Sequence, residues 1–185
     1  MPILSQECDL YPDNLLSSDF VATDCRWWVL YTLSRREKEL MRRLRSLEIS
    51  FYGPVIANRG RSAGGRARTS YLPLFPNYVF AYTGEAGRYE SLTTNCVSRC
   101  LEVTDQQGLH HDLAQIQRLI ESGLPLKVEH RLEPGRRVRI CSGMLAGQEG
   151  IVIRRRDEER LLVAVNFLQQ GASILLDDID VEPIG

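Results

Sequence analysis

Leu72-Pro73-Leu74-Phe75-Pro76-Asn77-Tyr78-Val79-Phe80-Ala81-Tyr82 is the most distinctive stretch of the chain, and the fold is read outward from it. Proline cannot donate to a sheet ladder, so Pro76 interrupts the apolar run and predicts a bend at Pro76-Asn77 that enters a strand over 78–82. Upstream, Asn58 to Thr69 holds Gly, Ser and Arg with almost no apolar content, which reads as a flexible loop or hairpin tip. Phe51 to Ala57 reads as a strand interrupted by Gly53-Pro54. Further back, Ser34 with Glu37 three residues on is a capping-box pattern. Leu40, Leu44 and Leu47 then recur at i, i+4, i+7, the core stripe of an amphipathic helix over 35–47. Trp27 to Thr32, aromatic and β-branched, is a strand. The residues before it, 1–24, lack apolar periodicity and are expected to form a mobile extension.

Downstream of the opening stretch, Gly84 to Leu92 is expected as a short helix and Arg99 to Val103 as a strand. Asp112 to Ser122 is a helix with Leu113, Ile116, Leu119 and Ile120 inward. Gly123 to Leu132 has weak periodicity and is read as a linker. Beyond it Val138 and Ile140 alternate with Arg137 and Arg139, and Gly143, Gly147 and Gly150 punctuate turns. Ile151 to Ile153, Leu161 to Phe167 and Ser173 to Leu176 complete a set of short strands that suits a compact barrel. The expected fold class is α+β. An α/β sandwich with an antiparallel sheet occupies 25–122, a linker 123–132 and a small β-barrel 133–185.

Composition narrows the function. At 185 residues, 43% hydrophobic and 25% charged, the chain is long enough for one or two packed domains. No apolar run approaches the roughly 20 residues of a membrane span. The start lacks the basic head and apolar stretch of a secretory signal, so a cytoplasmic protein with no membrane partner is expected. Cys8, Cys25, Cys96, Cys100 and Cys141 are scattered and odd in number, with no Cys-x-x-Cys pair, and read as reduced thiols. His110, His111 and His130 read as solvated. No metal and no cofactor are expected. There is no Walker loop, dinucleotide glycine fingerprint, Gly-x-Ser-x-Gly elbow or His-Glu-x-x-His, so the expectation is a binding protein and not an enzyme.

The net charge of −1 hides an asymmetry. Residues 1–24 carry five carboxylates and no Lys or Arg, whereas 35–68 carry ten cations against three anions. A local excess of that size can favour a polyanion through counterion release. A solvated arginine-rich face is an equal reading of charge alone.

Taken together, Trp27-Trp28-Val29-Leu30-Tyr31, the helix with Glu37-Lys38, and Pro73 to Phe80 resemble the amino-terminal domain of the NusG family. Gly135-Arg136-Arg137-Val138-Arg139-Ile140 through Gly150-Ile151-Val152-Ile153 resembles the KOW motif, which in that family builds an SH3-like five-stranded barrel. The two halves occur in the family order, over about Arg26 to Ile184. Asn after the Pro is closest to specialised paralogues of the RfaH type; general NusG proteins more often place Gly there.

The resemblance implies a transcription elongation and antitermination factor that grips the clamp helices of the largest RNA polymerase subunit and suppresses pausing or termination. The polymerase-facing pocket would then contain Val29, Tyr31, Phe75, Tyr78 and Phe80, all of which also suit a core. Tyr31, Phe75 and Tyr78 are favoured for contact, Phe75 because its bend can project a side chain from the sheet. In the RfaH-like branch, cations of the first helix touch non-template DNA. Arg35, Arg36, Arg42 and Arg43 occupy that region here, implying backbone attraction to DNA or nascent RNA. The barrel would recruit Rho or a ribosomal protein, with Met144, Leu145 and Phe167 as apolar contacts or barrel packing. A KOW-containing RNA- or ribosome-binding module without polymerase contact is the alternative.

Overall fold

The computed structural model describes residues 7–17, 20, 23–61, 65, 67–132, 134–156, 158–177 and 179–184. The chain divides into two compact units, Met1–Thr104 and Asp105–Gly185.

In the first unit the elements run β1 (Leu10–Tyr11), β2 (Arg26–Thr32), α1 (Glu37–Ser46), β3 (Ser50–Tyr52), β4 (Val55–Arg61), β5 (Ala67–Pro73), β6 (Tyr78–Thr83), α2 (Glu85–Thr93) and β7 (Val97–Glu102). Five of the strands form an antiparallel sheet in the order β1-β3-β6-β2-β7. β2 lies inside this sheet, and its alternating side chains divide between the two faces. Trp28 and Leu30 turn to the side of α1, where Leu40, Met41 and Leu44 meet them with Phe51, Val79 and Ala81 in one buried cluster. The buried Trp28 keeps its indole N–H paired by donating to the Thr83 carbonyl at 3.1 Å. Trp27, Val29 and Tyr31 turn the other way.

Three expectations about the first unit need correcting. α1 has no side-chain cap: its N-cap is Arg36, and Glu37, buried, accepts from the Asn77 amide at 2.8 Å instead of reaching back to Ser34. Leu47 lies past the end of α1 and is exposed, because the chain turns away through Glu48 at φ 56°; Met41 takes its place in the inward stripe. Residues 7–17 and 20 are not a free extension. β1 pairs with β3, Leu10 opposite Tyr52 and Tyr11 opposite Phe51, and Leu10, Leu15 and Leu16 are buried. The arginine-rich segment is largely a two-stranded hairpin of β4 and β5, paired out to Arg61 opposite Ala67, with 62–64 and 66 outside the described residues.

In the second unit α3 (Gln106–Glu121) precedes β8 (Lys127–Glu129), β9 (Arg136–Ile140), β10 (Glu149–Arg155), β11 (Glu158–Val165), a single 3-10 turn over Asn166–Leu168, β12 (Gln170–Leu175) and β13 (Val181–Pro183). Six strands form one antiparallel sheet ordered β13-β9-β10-β11-β12-β8. β11 reads Leu161-Leu162-Val163 without alternation, and all three are buried, as befits a strand covered on both faces. α3 packs against β11 and provides one of the covers. It begins a turn and a half before the predicted Asp112, at an Asp105 N-cap whose carboxylate accepts from the Gly108 amide at 2.8 Å. A Cβ on residue 108 would collide with that carboxylate, so the glycine that obscured the helix start belongs to its cap. Within the predicted linker, 127–129 is strand β8, paired with β12.

Candidate partner-binding face

The candidate face is the side of the first sheet opposite α1. Register places Trp27 across from Tyr82, Val29 across from Phe80 and Tyr31 across from Tyr78, so the three rows form an aromatic ladder. Ring centroids lie 5.1 Å apart for Trp27 and Tyr82 and 5.2 Å for Tyr31 and Tyr78, the latter edge-on. The turn Leu74 to Asn77 brings in Phe75, edge-on to Phe80 at 6.4 Å. All five residues expected at the pocket therefore belong to one neighbourhood, but they are not equivalent. Val29, Phe75 and Phe80 are at most 1% exposed; Tyr31 and Tyr78 are half-buried and carry the accessible surface.

The bend at Pro76 thus turns Phe75 inward rather than outward. Backbone bonds pin it on both sides: the Leu74 amide donates to the Pro54 carbonyl at 2.7 Å and the Tyr78 amide to the Phe75 carbonyl at 3.2 Å. Asn77 closes the turn at φ 68°, a left-handed conformation that Asn tolerates and Gly adopts freely. Its carbonyl accepts from the Thr32 amide at 2.8 Å, which locks the turn to the end of β2 and sets Tyr31 beside Tyr78. The requirement for positive φ gives a physical reason why Asn and Gly can alternate at this place.

The four arginines expected to meet nucleic acid are all exposed, yet three have carboxylate partners. Arg36 pairs with Glu39, Arg43 with the same Glu39 at 2.8 Å, and Arg42 with Glu7 at 3.1 Å. Arg36 and Arg43 hold the Glu39 carboxyl below its ordinary range, chiefly through the hydrogen bond from Arg36. Arg35 stands at φ 62° just before α1. The Glu39 pairs follow helix spacing, but sequence counting could not show the pairing of Arg42, because Glu7 is 35 residues away.

In the second unit Met144 is 81% exposed and Phe167 partly so, while Leu145 is buried and packs. Met144 and Leu145 line a groove of about 330 Å³ with Arg118, Glu121 and Ser122 of the α3 end and Gln148. The Gln148 amide donates to the Gln115 carbonyl at 3.1 Å, fixing one wall of the groove to α3.

A neighbouring cavity of about 340 Å³ is lined by His111, Asp112, Gln115, Arg137, Glu149 and Asn166 among others. Asp112 accepts from the Asn166 backbone at 2.8 Å and side-chain amide at 3.0 Å, but burial outweighs these bonds and pushes its carboxyl above the usual range. A folded-state pKa raised in this way gives stability that is fully present below the unfolded value and lost as pH rises through the folded one. Asp112→Asn retains an acceptor oxygen and removes the titration. Its unfolding free energy is expected to gain on the parent as pH rises through and above the ordinary aspartate range, followed by urea titration. A difference constant across that window would show that the carboxylate is ionised at no cost.

No helix among the described residues is long and apolar enough to cross a membrane, and all five cysteines are free thiols.

The first unit is thus an α+β domain, an antiparallel sheet with helices packed on it and an aromatic, tyrosine-edged face. The family model described as "Transcription termination factor nusG" matches residues 25–131, more than half of the chain, and the chain belongs to the NusG family. That family comprises transcription factors without catalysis of their own, so the role of this chain is in transcription elongation in general terms. No curated protein matches the sequence. A chain of the solved structure described as "Crystal Structure of MjSpt4:Spt5 complex conformation B" is similar at 16% identity, covering 85% of this chain and 97% of that one, with a TM-score of 0.29.

Proposed function

We propose that the chain is a transcription elongation and antitermination factor of the RfaH-like kind. Its first unit seats the clamp helices of the largest RNA polymerase subunit against Tyr31 and Tyr78 and thereby suppresses pausing or termination. The observation that carries this reading is the half-buried, edge-on tyrosine pair at one end of a largely buried apolar face, within a domain of the NusG family. An amphipathic helical tip needs apolar surface with a few polar handles, and a tyrosine edge supplies both. The helix cations Arg35, Arg36, Arg42 and Arg43 add attraction for non-template DNA or nascent RNA, reduced by their carboxylate partners. The second unit serves as a KOW barrel of the SH3-like type, recruiting Rho or a ribosomal protein along the Met144 groove.

Tyr31→Ala and Tyr78→Ala are each expected to weaken binding to RNA polymerase elongation complexes about tenfold, at the lower edge of hot-spot behaviour, and to restore pausing on a pause-bearing template. Both should unfold within a few degrees of the parent, because neither ring is fully buried. Undiminished polymerase binding by both variants would remove the face from the contact. Capture of the protein only by RNA, abolished by nuclease, would replace this reading with that of an RNA-binding module.

A further inference from the structure

The wall of the cavity of about 340 Å³ in the second unit carries hydrogen-bonding capacity that the fold itself does not use. α3 supplies His111, Asp112 and Gln115, and β9, β10 and β11 supply the facing side, with Ile151 and Val163 among its apolar residues. Asp112 and Gln115 are three residues apart on α3, a spacing that sets two side chains on one face of a helix. Both are buried, at 9% and 6% exposure. A concave site of this volume, with an apolar side and a few convergent polar groups, is at the small end of the range for ligand pockets.

Gln115 is only half satisfied. Its Nε2 lies 3.2 Å from His111 Nε2, but its amide oxygen Oε1 is buried with no hydrogen-bond partner among the described residues. Buried polar atoms are nearly always paired, so an orphan acceptor on a residue of the cavity wall calls for a donor. Asp112 is incomplete in the same way. The Asn166 backbone and side-chain amides both donate to its Oδ2, and Oδ1 receives no hydrogen bond from the described residues. The charged neighbours that bear on Asp112 are His111 and Asp105, and burial still keeps its carboxyl above the usual range. Glu149, across the cavity, is the contrast: Arg139 holds it at 2.7 Å and Arg137 faces it at 3.9 Å. Both cations of β9 thus serve Glu149, and Asp112 is left without one among the described residues.

We infer that this cavity is a binding site for a guanidinium group, held between the Asp112 carboxylate and the Gln115 amide oxygen. A guanidinium presents its N–H donors in a planar fork, so one group can meet two acceptors while supplying the charge that Asp112 lacks. An ammonium is more strongly hydrated and has no fork, which makes it the poorer ligand here. The methylene stem that carries a guanidinium packs on apolar residues, and Ile151 and Val163 offer them. Arg137 opposes an incoming cation only weakly, because its side chain is 65% exposed and its charge is screened by water and by Glu149. The chemistry is shared by a free guanidinium compound and by an arginine side chain of a partner. The site lies wholly in the second unit and stands whether or not the first unit binds RNA polymerase.

The test titrates the isotope-labelled full-length protein with agmatine and, separately, with N-acetyl-arginine-amide, following the Gln115 side-chain amide and the Asn166 backbone amide by NMR. Both probes are expected to give saturable shifts. Tighter binding of agmatine assigns the site to a free guanidinium compound, and tighter binding of the capped arginine assigns it to an arginine of a partner. N-acetyl-lysine-amide is expected to bind about tenfold more weakly than its arginine counterpart; equal binding would overturn the guanidinium assignment. Asp112→Asn, which removes the charge from the bond, should weaken both guanidinium probes about tenfold. Gln115→Glu, which adds a second carboxylate, should tighten them about fivefold, a gain that a merely structural glutamine would not give. Should either variant lose its cooperative urea transition, the other decides alone. Affinity unchanged by the substitutions, or equal shifts from tetramethylammonium at the same ionic strength, would overturn the site. So would the absence of any saturable shift in the parent, which would leave solvent as the partner of both acceptors.

Discussion

Truncating Phe75 to Ala is expected to remove about 3–5 kcal/mol of unfolding free energy from the first unit, the usual cost of emptying a buried phenylalanine site. The ring is 1% exposed, edge-on to Phe80, and follows Leu74, itself sealed from solvent. A contact residue would behave differently, losing about 2 kcal/mol or more of partner affinity with stability preserved. The two effects are separated by measuring urea unfolding beside polymerase binding. Because the turn is bonded on both sides, through Leu74 to Pro54 and through Tyr78 to Phe75, the surroundings have little freedom to collapse into the void. A Phe75→Ala protein with an unchanged urea midpoint and weakened binding would return Phe75 to the contact surface and refute the packing argument.

Phe75 also shows where sequence reading stops. The bend at Pro76-Asn77 was legible, since proline and a residue tolerant of positive φ have local consequences. The direction in which the preceding side chain leaves the bend was not, because the turn is anchored by a backbone bond from Leu74 to Pro54, 20 residues before it. The same division runs through the chain. β2, β6, α2 and β7 declared themselves by period and composition. The capping box at Ser34 failed because Glu37 is taken by the Asn77 amide, a partner 40 residues away. Leu10, Leu15, Leu16 and Phe20 were visible as apolar residues in an acidic stretch. Two strand residues and a hydrogen-bonded turn are too short to show a period, so only packing reveals their place. At the candidate site, Tyr31 and Tyr78 stand edge-on at 5.2 Å, and the Glu39 pairs of Arg36 and Arg43 follow helix spacing, whereas the pairing of Arg42 with Glu7 crosses 35 residues and has no local signal.

The stretch 123–132 makes the same point with a larger consequence. Gly, Pro, Lys and Glu give it the texture of a linker, yet Glu129 is buried within strand β8. Its side chain explains why. Ser173 donates its hydroxyl to Glu129 at 2.7 Å, and the same hydroxyl oxygen accepts from Arg160 Nε at 2.9 Å, while a second guanidinium N–H of Arg160 donates to the Ser173 carbonyl at 3.0 Å. Arg155 donates to the other Glu129 oxygen at 3.2 Å. One carboxylate thus ties β8 to β12 and, through Ser173 and the two arginines, to β10 and β11. Burying a charge is costly unless partners satisfy it, and these three side chains do so. Glu129→Ala would take the relayed carboxylate from the buried Arg160, leaving it the more exposed Glu158 at 3.5 Å, and would leave the Ser173 hydroxyl without its acceptor. The expected loss is about 3–5 kcal/mol of second-unit stability, the range for breaking a buried ionic network. Glu129→Gln keeps an acceptor for Ser173 but not the charge, and should fall between the alanine variant and the parent. Hydrogen exchange adds a local reading: amides of 127–129 and their β12 partners 171–173 should lose protection in the alanine variant before those of β10 and β11 do. If Glu129→Ala unfolds at the parent's urea midpoint with β8 still protected, the backbone ladder alone holds the strand and the ionic network is incidental.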